Sequence, residues 1–190
     1  MYEVHINSGF RLHELTPHTE TPSDLLIGAT PNFTLSVPSL QFLFHLECEM
    51  ESFQHIWNGG HGDRSTVIFK GKRSKGPKLC GSILPGGGDW ETIQDHDGDQ
   101  QTAHLDIKYN LLANDGVCIF LKTTGTRIGK KAILEELGEE DKHTPDEYRM
   151  RLHLTFESGD PRYSWLNSIA EIASSARNGT RVIYDAYLVL

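Results

Sequence analysis

His104, Asp106 and Lys108 stand at alternate positions of the run Thr102–Leu112, and Ala103, Leu105, Ile107, Tyr109 and Leu111 fill the places between and beside them. Alternate residues of a strand project from one face, so an imidazole, a carboxylate and an amine fall in line at successive pleats. Such a row can pass protons to and from a small molecule. Enclosure in a barrel would shift the pKa of each member through desolvation and mutual pairing. On an outer face the same row is a solvated strand with a modest ion pair, and the alternation alone fits both arrangements.

A second group centres on Gly81-Ser82-Ile83-Leu84-Pro85-Gly86-Gly87-Gly88-Asp89-Trp90. A short apolar run ends in a proline and three glycines, which predicts a tight turn that delivers Asp89 and Trp90 to one rim. A carboxylate beside an indole suits a small organic ligand, and it also suits a structural corner. Tyr163, Trp165 and Asn167 share one face if their segment is a strand. Two aromatic rings with polar handles and one amide then make a wall for a flat ligand, or else a core cluster with satisfied hydrogen bonds.

Other groupings carry less chemistry. Asp95-His96-Asp97-Gly98-Asp99 has alternating acids, but glycine falls at position four of a calcium-loop register and Asp106 stands at position twelve, so a solvated turn is expected. The histidines 55, 61, 96, 104, 143 and 153 form no His-x-His or His-x-x-x-His pair, and no metal site is expected. His61 lies in the glycine-rich stretch Asn58–Arg64, read as a lid or a loose connection. Cys48, Cys80 and Cys118 form no Cys-x-x-Cys pair, and an odd count argues against a disulfide framework, so three buried free thiols are expected. The chain has no Gly-x-Ser-x-Gly elbow, P-loop or dinucleotide fingerprint, and no cofactor is expected.

The elements that would position these groups are mostly strands. Leu40, Phe42, Phe44, Leu46, Cys48 and Met50 occupy one parity. Ser65–Gly71, Lys78–Leu84, Val117–Thr123, Tyr148–Phe156 and Arg181–Leu190 read as further strands. Lys72–Pro77 reads as a hairpin connection and Asn114-Asp115-Gly116 as a tight turn. Lys130–Glu140 is a short surface helix or a loop. Asn167–Arg177 has a composition compatible with helix and also with a strand and its connection. Residues 1–38, with Pro17, Pro22, Pro31 and Pro38, read as an irregular arm with a short strand at 9–15, and residues 39–190 read as one domain. The expected fold is all-β, a single antiparallel lipocalin-like barrel whose lumen holds one small ligand.

Composition sets the outer bounds. The 190 residues are enough for one well-buried core. A net charge of −8 argues against nonspecific nucleic-acid binding, despite the basic cluster Lys70, Lys72, Arg73, Lys75 and Lys78. The N-terminus lacks a signal-peptide pattern and no stretch is long and apolar enough to span a bilayer, so a cytoplasmic protein with no membrane partner is expected. The acceptor patterns Asn32-Phe33-Thr34 and Asn178-Gly179-Thr180 are then chance occurrences.

Taken in order, Gly76-Pro77-Lys78-Leu79-Cys80-Gly81, Leu84–Trp90, Asp115-Gly116, Tyr163-Ser164-Trp165-Leu166-Asn167 and the closing Val182–Val189 run resemble one family. It is an uncharacterised bacterial and fungal family of small β-barrels of unknown function, and the resemblance covers about residues 40–190. It implies a barrel and highlights Arg64, Asp89, Trp90, Asp106, Tyr109, Tyr163, Trp165 and Asn167. The chain departs from the pattern at Lys108, where the family usually has arginine, in a longer segment 51–66, and in its N-terminal arm. The resemblance further implies cofactor-free chemistry of fungal secondary metabolism, such as the intramolecular hydroalkoxylation of an alkene on a phenalenone-type polyketide.

The leading expectation is therefore a cofactor-independent cyclase or isomerase acting on an aromatic polyketide-like substrate. Asp89, Asp106 or His104 would be the acid and Lys108 or Arg64 would steady a phenolate. Trp90, Tyr109, Tyr163, Trp165 and Asn167 would hold the substrate. Two alternatives remain: a carrier that binds an apolar ligand without changing it, and an interaction module that uses an edge strand, as in a homo-oligomer.

Overall fold

The structure is a computed structural model that describes residues 36–190. Nine strands build it, in the order β1 (Leu40–Gly59), β2 (Gly62–Lys75), β3 (Gly81–Ile83), β4 (Gly88–His96), β5 (Gln100–Ala113), β6 (Cys118–Lys130), β7 (Arg149–Glu157), β8 (Glu171–Asn178) and β9 (Arg181–Val189). One helix, α1 (Lys131–Glu136), follows β6, and a 3-10 turn (Ser164–Ser168) precedes β8.

All pairings are antiparallel and the sheet closes on itself. β1 pairs with β2 on one side and with β9 on the other, so the last described strand seals against the first described one. β3 and β4 share a single position between β2 and β5, with β3 at one end and β4 along the rest. Nine strands thus give eight staves, a number that leaves an interior filled by side chains with room for one small ligand.

Period-two alternation decides what fills that interior. On β5 the residues Ala103, Leu105, Ile107, Tyr109, Leu111 and Ala113 are buried. β7 contributes Met150, Leu152, Leu154 and Phe156, and β9 contributes Val182, Tyr184, Ala186 and Leu188. Among the described residues no second layer covers the outside of the barrel, and the apolar parity of each strand turns inward. β1 carries an irregularity on its β9 side. Its register against β9 shifts between Phe42 and Phe44, so Leu43 and Phe44 are both buried while Phe42 is largely exposed.

The two ends of the barrel differ. One carries the β1–β2, β4–β5 and β8–β9 hairpin turns and α1, and is called here the hairpin end. At the other, Ser39 and Leu190 exchange backbone bonds of 3.0 and 2.9 Å, and the Asn114–Gly116 turn lies nearby along the sheet. At the hairpin end β1 outruns β9. Their pairing stops at Glu49–Arg181, while β1 and β2 stay paired up to the turn at Gly59–Gly62. The β1–β2 ribbon therefore overhangs the rim, with Phe53, Ile56 and Trp57 exposed on it.

Several sequence expectations change at this level. The glycine- and histidine-rich stretch around His61 is the tip of that ribbon rather than a loose connection. The Lys72–Pro77 connection shifts, because β2 runs on to Lys75 and the link to β3 is Gly76–Cys80. Helix in 130–140 is confined to α1. Asn167–Arg177 is the end of the 3-10 turn followed by β8, because Glu171, Ala173 and Ser175 alternate into the interior. Of the three thiols only Cys48 is buried, Cys80 being half-buried and Cys118 exposed. The expected arm, with its strand at 9–15, lies outside the described residues apart from Ser36–Pro38. Among the described residues no helix is long and apolar enough to cross a membrane.

Gly125 shows how tightly the staves meet. It sits mid-β6 opposite Leu105 and Leu152, and an added Cβ would run into the Arg151 carbonyl oxygen. Gly125→Ala must push β6 and β7 apart. A loss of about 2 kcal/mol in denaturant unfolding is expected, and an unchanged midpoint would show that the two strands yield there.

Candidate functional site

The inward parity of β4 is Asp89, Glu91, Ile93 and Asp95, set by the pairings Asp89–Ile107 and Ile93–Ala103. Most inward positions are apolar, so two acids in succession mark a break in the core. Arg127 on β6 answers them. It lies opposite Ala103 and Met150, both inward, and its Nη2 donates to Glu91 Oε2 at 3.3 Å. Glu91 is 3% and Arg127 5% exposed. A pair this dry holds only because each charge answers the other, and removing one partner would strand the second.

Asp89 lies one inward step deeper and is 7% exposed. Its Oδ1 accepts the Asp106 N–H at 3.0 Å. Burial is the main force on its proton, and the neighbouring Glu91 carboxylate adds to it. The Asp106 N–H bond and Arg127 pull the other way without prevailing, and the carboxyl is pushed up to about 7. Near neutrality Asp89 is thus divided between its acid and its base form, the condition a proton-transfer group needs.

Small residues give these groups space. Ser65 faces Glu91 across β2, and Ala103, Gly125 and Ala173 occupy inward positions on β5, β6 and β8. The Oγ of Ser65, Oγ1 of Thr123 and Nε of Arg127 are buried without a partner among the described residues. Above them the barrel opens at the hairpin end into a cavity of about 780 Å³. Its walls include Phe53 of the overhanging ribbon, Glu91, Ile93, Arg127, Leu134 of α1 and Arg177 of β8. Deeper, Tyr109 and Tyr184 hydrogen-bond through their hydroxyls, and burial holds both phenols well above their ordinary pKa. Phe69 packs edge-on to Tyr109 and Phe44 to Tyr184, closing the interior below.

The ten residues singled out from sequence separate into three places. Asp89 and Tyr109 are in the lumen, although Asp89 lies within β4 rather than on a turn. His104, Asp106 and Lys108 are not in the lumen: they take the outer face of β5, as does Trp90 on β4, 39% exposed, and Arg64 on β2 is exposed as well. Lys108 Nζ bonds Asp106 Oδ2 at 2.8 Å and lies 5.0 Å from the Trp90 ring, so the stripe is a surface ion pair stacked on an indole. The apolar parity of β5 had first claim on the interior.

The third place is the end away from the hairpins. Tyr163 donates to Asp115 Oδ2 at 3.1 Å, Trp165 lies under Lys78 Nζ at 5.3 Å, and Asn167 clips the loop through both Ser158 backbone groups at 2.9 Å. These three residues fasten a corner and line no common wall with Asp89. Sequence reading missed Glu91, Arg127 and Arg177. Glu91 shares parity with Asp89, a signal available from spacing, whereas Arg127 lies beyond a strand read as ending at Thr123 and Arg177 ends a segment read as fitting both helix and a strand with its connection.

Fold and site together define a small closed antiparallel barrel that keeps ionisable groups in its interior under an open polar mouth. The chain belongs to the DUF3237 family of proteins of unknown function, whose pattern matches residues 38–189. It is 30% identical over 131 residues to the UPF0311 protein RPA1785 of Rhodopseudomonas palustris, spanning 69% of this chain and 83% of that one. The crystal structure of that protein superposes with a TM-score of 0.75 at 25% identity, covering 82% of this chain and all of the other. A beta-barrel like protein from Acinetobacter baumannii AYE matches at a TM-score of 0.71 and 29% identity, over 83% and 99% of the two chains. An enzyme from Penicillium herquei shares the fold at a TM-score of 0.54 and 18% identity, over 83% and 98%.

The raised Asp89 pKa has a thermodynamic consequence. Between its unfolded value of 3.8 and its folded value of about 7, the folded chain holds a proton that the unfolded chain has released. Stability therefore falls as pH rises through that window. Asp89→Asn removes this share. The variant should gain on the wild type from pH 4 to pH 7, by on the order of 3–4 kcal/mol, and gain nothing more above it. Urea unfolding of both proteins across the range is the check, and parallel curves would show that Asp89 titrates normally.

Proposed function

We propose that this protein is a cofactor-independent cyclase of isomerase type, closing a ring on an aromatic polyketide-like small molecule, with its reaction site in the hairpin-end lumen. The observation that carries the reading is Asp89: a carboxyl pushed up to about 7, beside a buried Glu91–Arg127 pair, below an open cavity. The Penicillium herquei neighbour, an enzyme on the same fold, supports a catalytic use of such a barrel.

The chemistry conserves atoms and electrons. Protonated Asp89 gives its proton to one carbon of an alkene. The oxygen of a phenol in the same molecule bonds to the other carbon, and its proton passes to the Glu91 carboxylate. Exchange between the two acids, or with water at the mouth, restores the starting state. The product is an isomer of the substrate, so the reaction needs no oxidant or reductant. Arg127 faces the negative charge that grows on the phenol oxygen, in surroundings where a fixed charge acts more strongly than in water. Phe53, Ile93 and Leu134 supply apolar wall for the rings.

Turnover of a prenylated phenol tests the reading. Asp89→Asn is expected to lower kcat by about 100-fold or more, while Asp106→Asn and Lys108→Met stay within about threefold because they lie on the outer face. The rate should be highest below pH 7 and fall above it, as Asp89 loses its proton. Full turnover by Asp89→Asn, or a bound ligand recovered unchanged from the wild type, would replace the enzyme with a carrier.

A further inference from the structure

We infer that Arg127 and Arg177 form an anion subsite at the mouth of the barrel, and that the substrate docks there through a carboxylate. The inference names a substrate class for the lumen and rests on the lumen being the reaction site.

Every carboxylate lining the cavity has a basic side chain beside it, whereas one guanidinium has no carboxylate partner among the described residues. Asp63 pairs with His55 at 2.7 Å and Asp95 with Lys131 at 2.6 Å, and Glu135 also lies 3.9 Å from Lys131. Glu91 is taken by Arg127. Arg177 is left over: among the described residues no carboxylate lies within ion-pairing distance of it. Burial and the neighbouring Arg127 charge both lower its hold on its proton, with Glu91 acting in the opposite sense, so the two guanidinium groups and the one carboxylate feel each other. Two cations share one anion in a half-dry space, and a second anion would balance them.

Both arginines are held in place. Tyr148 grips the Arg177 backbone on both sides, its hydroxyl donating to the carbonyl at 3.2 Å and accepting from the N–H at 2.8 Å. Arg177 Nε donates to the Gly179 carbonyl at 3.1 Å, across the β8–β9 turn. That bond fixes the guanidinium plane, and no protein acceptor among the described residues takes its terminal nitrogens. Arg127 is fixed by Glu91 and keeps its Nε buried and unpartnered. Two positioned forks with donors to spare match a planar oxyanion. The acids at the rim favour a single negative charge over a phosphate dianion, which they would repel more strongly.

Calorimetric titration with salicylate and its neutral amide, salicylamide, tests the subsite. Salicylate is expected to bind at least 10-fold more tightly than salicylamide. Arg177→Met should remove that preference while leaving salicylamide binding and thermal unfolding unchanged, and Arg177→Lys should restore part of it. Asp89→Asn should bind salicylate within about threefold of the wild type, so loss of turnover in that variant and loss of anion binding in Arg177→Met report on different claims. Equal binding of acid and amide, an unaltered preference in Arg177→Met, or no salicylate binding at 10 mM would overturn the anion subsite and leave the acid–base reading standing.

Discussion

The pairing of β1 with β9 is the contact on which everything else rests. It joins the first strand to the last and converts a curled sheet into a closed wall. Only behind such a wall is there a space that every inward side chain shares and that water enters from one end. Opened along that seam, the interior would hydrate, the Glu91–Arg127 pair would become an ordinary solvated contact, and Asp89 would return toward the pKa of a free carboxyl. The chemistry of the site is thus a property of closure before it is a property of any residue.

Within the wall, polarity is graded along the axis. The far half is packed by residues such as Leu111, Ile119, Leu121 and Phe156, all essentially fully buried. The hydrogen-bonded tyrosines follow, then Asp89, then the ion pair, then the open mouth. Asp89 stands where the dry part ends. Deeper placement would keep the carboxyl permanently neutral, and shallower placement would leave it permanently ionised. Glu171 shows the trend: buried, with one oxygen unpartnered among the described residues, it is pushed up to about 8 by burial.

The strands were legible from alternation, and so was the closed antiparallel class, because period two survives along most of the chain. Which face of β5 turned inward was left open by the alternation and is decided by packing. Ala103, Leu105, Ile107, Tyr109 and Leu111 needed a dry partner, and a barrel has one only on the inside. The polar stripe drew attention through its chemistry and lost the interior to its apolar neighbours. Glu91 was missed although it stands two beyond Asp89 on the same parity. Arg127 and Arg177 were hidden by different causes. The Thr123–Lys130 stretch carries two glycines and little apolar alternation, which mutes the strand signal, and Asn167–Arg177 mixes small and polar residues that fit helix as well as strand. Their meeting with Glu91 depends on register across several staves, which no local pattern encodes.

The overhang of the β1–β2 ribbon separates two design variables that most enclosed sites tie together. Paired residues can be added or deleted near Gly59–Gly62 without disturbing a single bond of the β1–β9 seam. The depth of the vestibule, and with it the girth of molecule admitted, is therefore free to drift while the charged floor stays put. Hairpin length becomes a ruler for guest size, adjustable in steps of one ladder rung.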